Sequence, residues 1–339
     1  MIPPENNAAV TRALRDAFGV TGFADIRELT WGPNANLAFR IVVRGSAFLL
    51  RINTRKGDFS RHYGCMKTAA EAGLAPRVWY ANIEDRISIT DFVETVPFPR
   101  TDALVRIPRV LRTLHALAPF PDAPPHLNTT CMFLMHKGPA VEGFFEKFRA
   151  AHVLSPEQSE ELFAGYEEVL AVYPHHDADM VSSHNDLFKP DNMLYDGQRL
   201  WLVDWEAAFR NDRYADLAVV ANQIAANDAE EQQLLQEYFG EPPDQCKRAR
   251  FFLMRQVAHM FYAMAFLWQA AAAKPIDWSE PVPEYGDFHQ RFWAGEIKLT
   301  DIHTKAVYGR VHWERLLQNM RQARFQEALR IVAGRHATA

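Results

Sequence analysis

The chain has 339 residues, 48% of them hydrophobic and 23% charged, with a formal net charge of -5, which is enough length for two lobes and a large core. The acidic balance, with no run of Lys or Arg interleaved with aromatics, excludes a nucleic-acid scaffold. Cys65, Cys131 and Cys246 are odd in number and far apart, so neither a disulfide framework nor a clustered metal site is expected. Met1 to Ala9 is polar and lacks the apolar stretch of a targeting segment, so a cytoplasmic location is expected.

In chain order, Leu37 to Val43 and Phe48 to Ile52 flank Arg44-Gly45-Ser46 and read as a hairpin. Arg61 to Ala72 reads as a helix closed by Gly73. Arg77 to Tyr80 and Ile87 to Thr90 supply two more strands, completing a small sheet with one helix. Beyond Pro97 the pattern is mostly helical. Ser155-Pro156-Glu157-Gln158 is a helix start, with a capping Ser, a first-turn Pro and a Gln placed to return the hydrogen bond. The Pro-rich patches Pro119 to Pro125 and Pro275 to Pro283 read as loops inside the helical part. Phe251 to Ala273 is strongly apolar but carries Arg255, Gln256 and His259, which are costly in lipid; a buried helix is expected, not a membrane span.

The segment Ser183 to Glu206 reads SHNDLFKPDNMLYDGQRLWLVDWE. Asn192 to Tyr195 and Leu200 to Val203 form a hairpin around Asp196-Gly197, bringing Asn192 towards Asp204. Asp186 precedes it in a polar loop, where a carboxylate can reach solvent and ligand. Each of these alone is ordinary turn chemistry. Together their spacing suits phosphoryl transfer, in which the protein positions a nucleophile and neutralises phosphate charge. Asp186 fits a base for a substrate hydroxyl. Asn192 and Asp204 offer hard oxygens for Mg²⁺ carried by a nucleotide, and Lys189 adds a fixed positive charge.

His184-Asn185-Asp186, Asn192 and Val203-Asp204-Trp205-Glu206 resemble the catalytic and metal-binding motifs of the aminoglycoside phosphotransferase and choline/ethanolamine kinase superfamily. Asp212-Arg213-Tyr214-Ala215-Asp216-Leu217-Ala218 resembles the segment that follows, in which an Asp at a helix start braces the catalytic loop, here Asp216. Trp31-Gly32-Pro33-Asn34-Ala35-Asn36 resembles the turn over the nucleotide phosphates, with Asn36 shaping it. The resemblance makes Arg51 the partner of the phosphates, and the backbone near Asp91 and Val93 the reader of the adenine edge. It implies an α+β, protein-kinase-like two-lobe fold with a small antiparallel-sheet N-lobe and a larger, mostly helical C-lobe. The division expected is residues 1–96, with a hinge near 91–96, and residues 97–339.

Three departures stand out. The loop from Asp186 to Asn192 is one residue longer than the family's usual loop, with Phe188 as the insertion and Asp191 as fallback metal ligand. Pro33 and Ala35 stand where a second Gly and a hydroxyl residue are common. His62 occupies the helical position expected to carry a Glu paired to the phosphate-binding base; it reads as a surface residue, with Glu71 on the same helix as another carboxylate.

The resemblance implies an ATP- and Mg²⁺-dependent kinase for a hydroxyl of a small, amine-bearing metabolite, choline- or ethanolamine-like by preference. Glu206 and Tyr262 are the candidate acceptor contacts, a carboxylate and a ring suited to a cationic group, although Ala265 and Gln223 leave the aromatic and acidic cage incomplete. An aminoglycoside, thiamine or another hydroxylated metabolite is the alternative acceptor. A nucleotide-binding pseudokinase is the alternative of another class, motivated by Pro33, Ala35 and His62.

Overall fold

Alternating apolar residues along three strands build one face of a five-stranded antiparallel sheet. The computed structural model describes residues 2–29, 36–55, 57–122, 139–174 and 179–336. The sheet comprises β1 (Asp25–Leu29), β2 (Asn36–Val43), β3 (Ser46–Asn53), β4 (Val78–Asn82) and β5 (Ile87–Asp91), in the order β1-β2-β3-β5-β4. Phe39 pairs with Leu50, Leu50 with Ile89, and Ile52 with Ile87. All five are at most 1% exposed and pack with Val10, Ala13 and Leu14 of helix α1 (Asn7–Phe18). Each such side chain contributes about 2 kcal/mol by leaving water. The turn between β2 and β3 has positive φ at both Arg44 (51°) and Gly45 (83°), the left-handed pair that a two-residue hairpin needs.

Strand parity puts Arg51 on the opposite face of the sheet. There it stands in register with the small residues Ala38 and Ser88. Helix α2 (Ser60–Glu71) buries His62, Tyr63, Cys65, Met66 and Ala69. His62 is therefore not a surface residue as the sequence suggested: it is 6% exposed, on the same helical stripe as its apolar neighbours, and its ring lies 5.1 Å from that of Tyr63.

Two compact units are formed, Met1–Pro97 with Asp191–Ala208, and Phe98–Pro190 with Phe209–Ala339. Backbone hydrogen bonds explain why the later segment joins the first unit. Leu202 N donates to Leu74 O at 2.8 Å, and Val96 N donates to Tyr195 O at 2.8 Å.

The second unit holds helices α3 (Arg100–His115), α4 (Pro139–Ala150), α5 (Pro156–Val172), α6 (Arg213–Ile224), α7 (Asp228–Phe239), α8 (Gln245–Ala271), α9 (Tyr285–Trp293), α10 (Ile302–Met320) and α11 (Ala323–His336), with a two-stranded sheet of β6 (Met180–Ser183) and β9 (Phe209–Asp212). The expected capping box of α5 is present. Ser155 Oγ accepts from Gln158 N at 3.2 Å, and Ser155 N donates to Gln158 Oε1 at 2.9 Å.

The expected buried helix is α8. Two of its polar residues find partners inside the bundle: Arg255 Nε donates to Asn222 Oδ1 at 2.7 Å and its guanidinium pairs with Glu231, while Gln256 Nε2 donates to Phe252 O at 2.8 Å. Helix α10 approaches α8 at Gly309, where a Cβ would stand 3.0 Å from the Leu267 backbone nitrogen. No described helix is long and apolar enough to cross a membrane.

Candidate active site

In the second unit, the chain leaves β6 at Ser183 and turns through His184 and Asn185 to Asp186. Asn185 has φ of 64°, a left-handed conformation that Asn tolerates better than most residues. Its side chain fixes the turn: Asn211 Nδ2 donates to Asn185 Oδ1 at 2.7 Å, and Asn185 Nδ2 donates to Phe209 O at 3.3 Å.

Asp216, in the first turn of α6, accepts from the amides of His184 and Asn185, both at 2.8 Å. It thus braces the loop two residues before Asp186. His115 Nε2 stands 3.3 Å from the same carboxylate, while its Nδ1 lies 2.7 Å from Tyr238 Oη. With the proton on Nε2, the hydroxyl donates to Nδ1 and every group is served. Burial pushes the Asp216 carboxyl up, but the hydrogen bonds from His115 and the His184 amide outweigh it and hold the group below its ordinary value.

Asp186 and Lys189 form one pair, with Nζ 3.4 Å from Oδ2 and side chains 46% and 21% exposed for Lys189 and Asp186 respectively. A carboxylate and a cation are thereby presented together on one accessible loop. Phe188 lies between them in sequence, its ring 5.2 Å from Lys189 Nζ and 5.1 Å from the ring of Tyr262. Tyr262 is 2% exposed, packed among Phe266, Tyr308 and His312.

In the first unit, residues Asn192 to Asp204 form the expected hairpin, with strands β7 (Met193–Tyr195) and β8 (Leu200–Leu202). Val203 N donates to Asn192 O at 3.0 Å, which sets Asn192 across from the residue preceding Asp204. Asp204 has φ of 70° and opens a short helical turn, Trp205–Ala207. Arg51 Nη2 approaches Asp204 Oδ1 at 3.6 Å. The carboxylate beside Arg51 is thus Asp204, while Glu71 points to solvent. Arg61 clamps the same turn, donating to Glu206 O at 2.6 Å and to Ala208 O.

The amide carbonyl of Asn192 and the carboxylate of Asp204 are oxygen donors of the kind Mg²⁺ takes. Among the described residues, no group of three His, Cys, Asp or Glu is placed to hold a metal by itself. Such a pair matches an ion that arrives with phosphate oxygens and water as its remaining ligands.

Asp91 ends β5, its amide donating to Arg77 O at 3.0 Å and its carboxylate accepting from Trp79 Nε1 at 2.7 Å. Val93 is half-buried in the strand exit. Asn36 opens β2 in register with Asn53. Trp31 to Ala35, and with them Pro33 and Ala35 of the expected phosphate turn, lie outside the described residues, as does Cys131.

Of the candidate site residues, Asp186, Lys189 and Tyr262 belong to the second unit, and Asn36, Arg51, Asp91, Val93, Asn192, Asp204 and Glu206 to the first. Sequence reasoning missed His115, Asn211 and Arg61, which carry no local motif; Gln223 was noted only as a missing acid.

Residues 25–252 match the model of the phosphotransferase enzyme family. No curated protein matches the sequence. Among solved structures, a choline/ethanolamine kinase family protein from Mesorhizobium loti is similar at TM-score 0.66 and 19% identity, over 97% of this chain and 99% of that one. The choline kinase LicA from Streptococcus pneumoniae is similar at TM-score 0.55 and 15% identity, over 86% and 99%. The streptomycin–ATP–APH(2″)-IIa ternary complex is similar at 0.53 and 14%, over 81% and 93%. At these identities the structures establish the protein-kinase-like α+β fold, and the family match establishes the class of chemistry. The chain belongs to the phosphotransferase enzyme family and is a small-molecule kinase.

Proposed function

We propose that the protein transfers the γ-phosphoryl group of ATP to a hydroxyl of a small amine-bearing metabolite, choline- or ethanolamine-like by preference, in the cytoplasm. The observation that carries the reading is the Asp186–Lys189 pair at 3.4 Å on a loop braced by Asp216. Asp186 accepts the proton of the attacking hydroxyl. Lys189 and Arg51 offset negative charge on the phosphates, which a loose transition state spreads over the equatorial oxygens. Asn192 and Asp204 hold Mg²⁺, which when bound neutralises and orients the phosphate oxygens. Asn36 shapes the phosphate turn, and the strand exit from Asp91 to Val93 receives the base. Nucleotide use is supported by the similar structures of LicA with AMP and of the ternary complex containing ATP.

For the acceptor, the choline kinase-like structures and the aromatic residues beside the catalytic loop support an ammonium-bearing alcohol, with Glu206 and Tyr262 as its contacts. A second reading, in which the acceptor is a different hydroxylated metabolite such as an aminoglycoside or thiamine, draws on the 2% exposure of Tyr262. Turnover of Mg-ATP with amino alcohols, aminoglycosides and vitamins separates the two. Selective use of choline or ethanolamine supports the first, and use of another class alone overturns it.

A further inference from the structure

Five residues separate Asp186 from Asn192, one more than expected from the motif that the sequence resembles, and an extra residue ordinarily loosens a loop. Here it is tied down from two directions within the second unit. Gln223, in the last turn of α6, is 5% exposed and sends its amide nitrogen to two consecutive loop carbonyls, Leu187 O at 3.1 Å and Phe188 O at 2.6 Å. Both neighbours are acceptors, so only the nitrogen end of the amide can face them. The Phe188 ring meanwhile packs against Tyr262, Phe266 and Tyr308, at 5.1, 5.9 and 6.4 Å. These contacts fall on the two residues directly between Asp186 and Lys189.

We infer that Gln223 is a positioning residue of the phosphotransfer, using both of its N–H groups to hold the lengthened loop so that Asp186 and Lys189 stay paired, with the Phe188 ring as anchor. This rests on the kinase reading above. Gln223 touches no reacting atom and acts through the backbone of Leu187 and Phe188. A carboxylate cannot replace it, because an ionised Glu would turn acceptors towards acceptors. A protonated Glu restores one of the two donors.

The test compares native protein, Gln223→Glu and Gln223→Met, by steady-state kinetics from pH 6 to 8.5 and by amide hydrogen exchange over residues 184–190. Gln223→Glu is expected to lose about tenfold or more in kcat at pH 8, with KM for ATP within about twofold. It should recover towards native as the pH falls and the carboxyl takes up its proton. Gln223→Met should show a pH-independent loss in kcat. Both should exchange faster across the loop, with the rest of α6 unchanged.

Native-like kcat and loop exchange in Gln223→Glu across the whole pH range overturns the inference. If Gln223→Glu does not fold, Gln223→Met decides, since native loop exchange in that variant overturns it equally. If the native protein phosphorylates no acceptor, the kinase reading fails, while the exchange measurement still shows whether Gln223 holds the loop.

Discussion

Arg51 on β3 and Asp204 after β8 meet at 3.6 Å although they are far apart in sequence. At 3.6 Å the two groups stand beyond hydrogen-bond reach, and both keep some exposure, at 20% and 24%, so the pair itself adds little to stability. Under the proposed function its value lies in chemistry, because it sets the cation proposed to bind phosphate beside a metal-ligand candidate. Arg51→Gln is therefore expected to leave the unfolding midpoint nearly unchanged while weakening ATP binding by about tenfold or more, as seen by calorimetric titration with Mg-ATP. A large loss of stability with native ATP affinity would contradict this.

Asp216 supplies the acceptor for the amides of His184 and Asn185 and the partner of His115. Asp216→Asn keeps the volume but removes the charge and one acceptor, leaving buried donors poorly served. The expected cost is about 3 kcal/mol, measured by urea denaturation at pH 7, with a fall in kcat. The carboxyl is held below its ordinary value, so the folded state favours its charged form. That contribution is fully present above the ordinary carboxylate range and is lost as pH falls through the still lower folded-state value. The stability gap between native protein and Asp216→Asn should close as the medium becomes strongly acidic.

His62 gives a pH dependence at milder acidity. Burial, with Arg51 adding to it, pushes its pKa down from 6.5 to about 4. The unfolded chain binds the proton first, so stability from a neutral buried His62 is complete above the ordinary value. It is lost between there and the folded value, about 3 kcal/mol over the whole interval. His62→Gln should flatten this part of the stability curve, read as urea midpoints at pH 7.5 and 5. Equal slopes in both proteins would show that His62 does not titrate in this way.

The parts legible in the sequence were those with a local code. Alternation in Phe39, Ile41 and Phe48, Leu50, Ile52 specified the sheet face, and Ser155 with Gln158 specified a helix start. Helix α1 and strand β1 were passed over. Val10, Ala13 and Leu14 carry the helical spacing, and Gly19 closes the helix at φ of 69°, but only these three of its apolar residues are fully buried. β1 is a largely charged edge strand without alternation. Strands β6 and β9 have four residues each, too few for a pattern. In the site, Asp186, Lys189, Asn192 and Asp204 lie in one run of the chain and could be found together. His115 reaches Asp216 from 101 residues away, and Gln223 reaches the loop carbonyls from 35 and 36. Such partners are fixed by packing, which no local spacing encodes. His62 was misplaced because a polar residue on a mostly polar helix gives no sign of which stripe is buried.

Lys189 offers a separable test of electrostatic help. Lys189→Met removes the cation 3.4 Å from Asp186 from a side chain that is nearly half exposed, so the fold should be unaffected. The loss is expected in kcat, about 10- to 100-fold, with KM for the acceptor little changed. A change confined to KM would assign Lys189 to acceptor binding.

The proposed phosphoryl transfer depends most directly on Asp186 as the base. The deciding measurement is phosphoryl transfer from Mg-ATP to amino alcohols, aminoglycosides and vitamins by native protein and Asp186→Ala, with ATP binding followed in parallel. The expected result is selective turnover of an amino alcohol by the native protein and a loss of about 10³-fold in kcat in the variant, with ATP still bound. Undiminished transfer by Asp186→Ala would contradict the assignment of the base, and ATP binding without transfer to any acceptor would favour a nucleotide-binding pseudokinase.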